Sequence, residues 1–204
     1  MSMSAFNSDN VGPICWNRRS RSYSNRMKRI LALDGGGIKG LFTLQILERI
    51  EQLFREREGN SKLVLADVFD LFAGTSTGAV IATCLCWGMG VSVGTKKLRG
   101  LLLVVVRNAS TGSAWPVTNN PKAVFNDPAL PNCNLNIPLW QLLRASTAAP
   151  TYFAPERIRL GEEEFLFVDG GITPYNNPSL LALLTATLPH AEEHVRVEHL
   201  DPRA

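Results

Sequence analysis

Apolar residues in this chain fall either in short unbroken runs or in longer stretches with helical spacing, and the two kinds alternate. The first run, Arg29-Ile-Leu-Ala-Leu33, has the length and composition of a central parallel strand. Beyond a glycine-rich turn, Leu41, Leu44, Leu47, Ile50, Leu53 and Phe54 recur at helical spacing to about Arg57. Glu48, Glu51 and Glu56 take the other face, and Gly59-Asn60 closes the helix. Val68, Phe69, Leu71 and Phe72 predict a second buried strand, and Ala79-Val-Ile-Ala-Thr-Cys-Leu85 a helix that fades at Gly88-Met-Gly90. A link of Ser, Gly, Thr and Lys leads to Leu101-Leu-Leu-Val-Val-Val106, a third buried strand by length and β-branching.

Strand, helix, strand, helix, strand in this order implies right-handed crossovers and a mainly parallel sheet covered on both faces, a three-layer α/β/α fold. Residues 108–137 are rich in Asn, Pro and Thr and predict an irregular excursion with one edge strand. Leu139 to Ala145 reads as a short helix, and Glu164-Phe-Leu-Phe-Val168 as a strand closed by Asp169-Gly170-Gly171. A last helix runs from Asn176 to Leu188, with Pro178 tolerated in its first turn. No internal repeat is present. The pattern divides the chain into a leader at 1–26, one domain at 27–188 and a polar tail at 189–204.

With 204 residues, 45% apolar and 19% charged, the chain can bury one substantial core and is too short for two comfortable ones. The net charge of +3 is small, but Arg18, Arg19, Arg21, Arg26, Lys28 and Arg29 cluster in and beside the leader. A solvated leader is the simpler reading, and recruitment to an anionic membrane surface the alternative. No nucleic-acid partner is expected, and the oligomeric state is left open. The leader has no apolar core of a secretory signal, and no apolar stretch is long enough to span a bilayer. The four cysteines form no metal-spaced pairs, and Cys84 and Cys86 read as buried thiols. These features predict a cytoplasmic protein, peripheral at a membrane if it meets one, with no cofactor and no metal.

The chemistry concentrates at Gly74-Thr75-Ser76-Thr77-Gly78, a G-x-S-x-G pattern between the second strand and its helix. A serine on such a sharp turn holds its hydroxyl clear of the sheet, with the amide end of the helix pointing back at it. Upstream, Asp34-Gly35-Gly36-Gly37-Ile38-Lys39-Gly40 contains a literal G-x-G-x-x-G. A dinucleotide site would use the same geometry, but it needs a carboxylate at the tip of the second strand, where Gly74-Thr-Ser-Thr-Gly78 stands instead. Three adjacent glycines also suit an oxyanion hole, and the serine turn decides for acyl transfer.

A nucleophilic serine needs a proton acceptor. The three histidines, His190, His194 and His199, all lie in the polar tail. The order Ser76, Asp169, His194 matches a hydrolase triad, so that arrangement stays open. Asp169 is the preferred base, because it ends a strand and two glycines behind it allow a tight turn. Asp34 is expected to cap or brace the glycine loop.

Four ordered blocks together resemble the patatin-like phospholipase family. They are Asp34–Gly40, Gly74–Gly78, Arg144-Ala-Ser-Thr-Ala-Ala-Pro-Thr-Tyr-Phe153 and Asp169-Gly-Gly171. The resemblance implies a patatin-like domain at 27–188 that hydrolyses fatty-acyl esters of lipids without a metal. Ser76 would be the nucleophile and Asp169 the base of a Ser–Asp dyad, with Gly35, Gly36 and Gly37 as oxyanion donors. Lys39 stands where the family carries Arg or Lys, and would orient the loop or a lipid phosphate. The small residues Ala145, Ser146, Ala148 and Ala149, with Pro150, Tyr152 and Phe153, suit an acyl-chain pocket or ordinary core packing. The link before Leu101 is much shorter than in relatives, which usually insert helices there, so the chain reads as a shortened member. The alternative function is a catalytically impaired form that binds lipid or a partner.

Overall fold

The computed structural model describes residues 28–88 and 98–187. The basic leader, the link before Leu98, the polar tail and its three histidines lie outside the described residues, as does Cys15.

The elements follow one another as β1 (Ile30–Leu33), α1 (Gly40–Glu58), α2 (Leu65–Val68), β2 (Leu71–Thr75), α3 (Thr77–Cys86), β3 (Leu101–Asn108), β4 (Ala114–Thr118), α4 (Leu139–Ser146), β5 (Glu156–Leu160), β6 (Glu163–Asp169) and α5 (Ser179–Thr187). β1, β2 and β3 pair in parallel, as the crossovers require. β4 and β6 run antiparallel to β3, and β5 antiparallel to β6, so β1, β2, β3 and β5 all point the same way. One face of the sheet carries Leu33, Phe72, Leu102, Val104 and Phe167 against α1, α3 and α4. The other carries Leu71, Ala73, Leu103 and Val105 against Leu181 and Ala182 of α5. Helices on both faces make a three-layer α/β/α arrangement, as expected.

The register around β3 sets the position of the site. β4 occupies one edge of β3 over Leu103–Arg107. β2 occupies the opposite edge and ends at Thr75, level with Val105. β6 arrives from the other direction and ends at Asp169, level with Val106. A strand has only two edges, so β2 and β6 abut end to end along the same one. The residues that follow or end them, Ser76 and Asp169, are thereby brought face to face.

Three local expectations differ from the structure. Val68 belongs to the one-turn helix α2 rather than to a strand, because Asp67 turns back to accept the Val64 N–H at 3.2 Å and closes the turn. Glu51 is buried rather than exposed: it pairs with Arg55 and accepts the Leu65 N–H at 3.1 Å, holding α1 to α2. Leu41, Leu44 and Leu53 are exposed, so only part of the α1 apolar pattern faces the core. Gly59 closes α1 as expected, in the left-handed conformation at φ 62.

Candidate active site

The turn between β2 and α3 puts Ser76 at φ 55 and ψ −126. That conformation costs a non-glycine residue about 1–3 kcal/mol and persists only where surrounding contacts fix it. The two glycines of the pattern make the turn sterically feasible. A Cβ on Gly74 would lie 2.3 Å from the Gly78 carbonyl oxygen, and one on Gly78 would lie 2.3 Å from the Leu33 carbonyl oxygen. Strand, helix and the end of β1 thus meet with space for hydrogen alone.

Two side-chain bonds hold the turn from below. The Ser76 N–H donates to Ser146 Oγ at 3.0 Å, and that hydroxyl donates in turn to the Val105 carbonyl at 2.7 Å. Ser146 is fully buried at the end of α4, and Val105 sits where β2 gives way to β6. The Thr75 hydroxyl donates to the Tyr175 carbonyl at 2.9 Å. Ser146 was expected only to be small. Its hydroxyl is the polar link between the turn and the sheet, a role that spacing in the sequence does not reveal.

The Ser76 hydroxyl donates to Asp169 Oδ2 at 2.7 Å. Oδ1 of the same carboxylate accepts the Gly171 N–H at 2.7 Å, and the Asp169 N–H donates to the Ala148 carbonyl at 3.0 Å. Asp169 is only 6% exposed, so its two oxygens are aimed by the protein rather than by solvent. A hydroxyl directed at a fixed carboxylate is the arrangement from which a serine can be deprotonated.

The glycine loop lies beside this pair: a Cβ on Gly35 would come 3.2 Å from Ser76 Cβ. Gly37, at φ 53, begins a short 3-10 turn through Lys39 that leads into α1. The expectation for Gly35 is corrected here. Its N–H donates to the Asn176 carbonyl at 3.0 Å, and the Asn176 side-chain Nδ2 donates to the Gly35 carbonyl at 3.1 Å. Gly35 is therefore clamped and its amide is occupied. The Gly36 and Gly37 N–H groups have no acceptor among the described residues. Thr77, the first residue of α3, has no intrahelical acceptor by geometry. Asp34, expected to brace the loop, is exposed and makes no side-chain hydrogen bond among the described residues. Asn176 does that work instead. It was read only as a helix start, whereas α5 begins at Ser179.

Lys39 is exposed on the 3-10 turn. Ala145, Ser146 and Ala148 are fully buried, where they let α4 approach β3 and β6; Tyr152 and Phe153 are exposed. No group of three or more His, Cys, Asp or Glu side chains that could hold a metal occurs among the described residues.

Known proteins resemble this chain over most of its length. The family model for patatin-like phospholipase matches residues 31–130 and 107–183. Patatin-17 of Solanum cardiophyllum is 26% identical over 206 residues, covering 79% of this chain and 53% of that protein. A cGAMP-activated phospholipase of Vibrio cholerae serotype O1 is 29% identical over 212 residues, covering 76% of this chain and 56% of that protein. One from Escherichia coli is 29% identical over 205 residues, covering 76% and 55%. The chain spans about half the length of the curated relatives it matches.

Proposed function

Because the chain belongs to the patatin-like phospholipase family, we propose that it is a serine acyl hydrolase that cleaves fatty-acyl esters of lipids, phospholipids included, through a Ser76–Asp169 dyad. The observation that carries this reading is the 2.7 Å hydrogen bond from the Ser76 hydroxyl to a nearly buried Asp169 carboxylate. In the proposed cycle Asp169 takes the Ser76 proton as the oxygen attacks the ester carbonyl. The oxyanion that forms is held by the Gly36 and Gly37 amides, with the amide end of α3 adding its partial positive charge. Each such donor contributes about 2.7–4 kcal/mol of transition-state stabilisation. The tetrahedral adduct collapses, the alcohol leaves with the proton from Asp169, and water activated by the same carboxylate hydrolyses the acyl-enzyme. Gly35 and Asn176 act as positioning residues that set the loop against Ser76.

The same reading gives the protein a cytoplasmic location with peripheral contact at a membrane, and the buried thiols of Cys86 and Cys133 support a reducing compartment. The test is hydrolysis of p-nitrophenyl butyrate by the full chain. Ser76→Ala and Asp169→Asn each abolish turnover while the fold, read by circular dichroism, stays intact. Replacing His190, His194 and His199 together leaves the rate within a few-fold; collapse of the rate on that change would restore the triad and remove Asp169 as base.

A further inference from the structure

α4 and the turn that ends it touch both halves of the proposed dyad. Ser146 Oγ accepts the Ser76 N–H at 3.0 Å, and two residues further on the Ala148 carbonyl accepts the Asp169 N–H at 3.0 Å. Nucleophile and base thus take their backbone positions from one helix end, and a slide of α4 along its axis carries both anchors with it. The inward face of α4 is Leu139, Leu142 and Ala145, all buried in the core. Apolar burial is non-directional, so this face sets the distance of the helix from the sheet more firmly than its place along it. The start of the helix follows Pro138 and has no side-chain cap.

Directional contacts lie on the flank that meets β5. Glu156, the first residue of that strand, accepts from Gln141 Nε2 at 3.0 Å with Oε1 and faces Arg144 Nε at 3.8 Å with Oε2. Gln141 Nε2 also donates to the Arg157 carbonyl at 2.8 Å. Gln141 and Arg144 stand three residues apart, neighbours on one side of the helix. The Glu156 side chain is only 15% exposed, whereas Glu164, which pairs with Arg157 and Arg159 on the same hairpin, is 43% exposed. A carboxylate largely kept from water and shared between two donors of one helix is a clamp, unlike a solvated surface pair. From Gln141 to Ser146 the helix rises about 7.5 Å, so the clamp grips α4 about one and a half turns before it meets the serine turn.

We propose that Glu156 is a positioning residue for the reaction: it fixes α4 along its axis, and α4 in turn sets the separation of Ser76 and Asp169. This rests on the function proposed above and adds to it a residue that touches neither member of the dyad. The Ser76 hydroxyl meets Asp169 Oδ2 at 2.7 Å, and a misplacement on the order of 1 Å costs about a hundredfold in rate. Releasing the clamp frees one end of α4 while Ser146 and Ala148 still hold the other, so it forfeits part of that factor.

The experiment compares the full chain with Glu156→Ala, with Glu156→Gln, which keeps an oxygen for Gln141, and with Glu164→Ala, which breaks the other ion pairs of the hairpin. Two quantities are read well below Tm: kcat and KM for p-nitrophenyl butyrate, and exchange of the Ser76, Asp169 and Phe72 amide protons by NMR. In Glu156→Ala the expected result is a fall in kcat of about five- to twentyfold with KM within about twofold. Exchange at Ser76 and Asp169 quickens at least about fivefold, while Phe72, in the middle of β2, is unchanged. Glu156→Gln returns both quantities to within about twofold of wild type, and Glu164→Ala leaves them there. Wild-type kcat in Glu156→Ala overturns the inference. So does faster exchange at Phe72 as well, which is general loosening of the sheet. A fall in kcat with unchanged exchange at Ser76 and Asp169, or one that Glu156→Gln does not restore, places the effect outside α4 and overturns it too. No turnover by the wild-type chain removes the hydrolase, and exchange alone then decides whether Glu156 positions the pair.

Discussion

Replacing Ser146 with alanine deletes one oxygen atom from a fully buried position and breaks two hydrogen bonds at once. The Ser76 N–H loses its acceptor and the Val105 carbonyl loses a donor, at a depth where water has little room to replace either. An unsatisfied buried polar group costs about 1–3 kcal/mol, so a total loss of about 3 kcal/mol follows. In a domain of this size that lowers Tm by roughly 6–12 °C. The catalytic effect has a separate origin. Ser76 sits in a backbone conformation with its own cost of about 1–3 kcal/mol, and the bond to Ser146 is one of the contacts that hold it there. Released, the turn relaxes and the hydroxyl moves off the line to Asp169. A displacement on the order of 1 Å costs about a hundredfold in rate, so kcat for p-nitrophenyl butyrate falls ten- to a hundredfold at temperatures well below Tm, with KM little changed. Thr147→Ala is the control, since among the described residues that hydroxyl bonds only to the Leu143 and Arg144 carbonyls of its own helix. Wild-type kcat in Ser146→Ala, together with an unchanged Tm, would refute the idea that this hydroxyl anchors the turn.

Two further outcomes test the packing and the titration of the core. Gly78→Ala drives a methyl group to 2.3 Å from the Leu33 carbonyl and 2.5 Å from the Asp34 carbonyl, both backbone; the loss exceeds about 3 kcal/mol and shows as insoluble protein, whereas a soluble variant with wild-type Tm contradicts the close approach. Burial pushes the Cys86 thiol up from 9.0 to about 12, against a smaller pull from the Gly100 and Arg99 backbone. The unfolded thiol therefore ionises first, and as pH rises from about 9 toward 12 stability falls by about 1.4 kcal/mol per pH unit. Urea denaturation shows this as a slope that Cys86→Ala reduces, the remainder including the Cys84 thiol, which burial also pushes up; identical slopes in both proteins would refute the burial argument.

The serine turn, the glycine loop and the Asp169 turn were all legible in the sequence because each is a local device. Glycine at a fixed offset from a functional residue records a steric demand that no other residue meets. The strands β1, β2 and β3 were legible for a related reason: both faces are buried, so their apolar runs are unbroken. β5 was not anticipated, because Glu156-Arg-Ile-Arg-Leu160 exposes every second residue and only Ile158 and Leu160 face the core. α1 misled in the opposite way. It is apolar on two sides, and periodicity cannot say which side packs, nor that Glu51 is the acid turned inward. Ser146 and Asn176 escaped notice because their partners, Ser76 and Gly35, are 70 and 141 positions away. A single hydroxyl or amide has no spacing signature at that distance. The occupied amide of Gly35 follows from the same long-range contact, which is why three adjacent glycines promise three amides on paper and leave two without an acceptor among the described residues.

Where β2 and β6 meet tip to tip, the halves of the dyad are made at different times. An emerging chain completes the serine turn well before the strand that ends in Asp169 leaves the ribosome, since 93 positions separate the two. Until that strand zips onto Val106, Arg107 and Asn108, the alcohol has nothing to hand its proton to. On the chemistry proposed above, the joint is a safety catch: a half-made molecule cannot digest the lipids of the cell that is making it, and peeling β6 from its seam disarms a finished one.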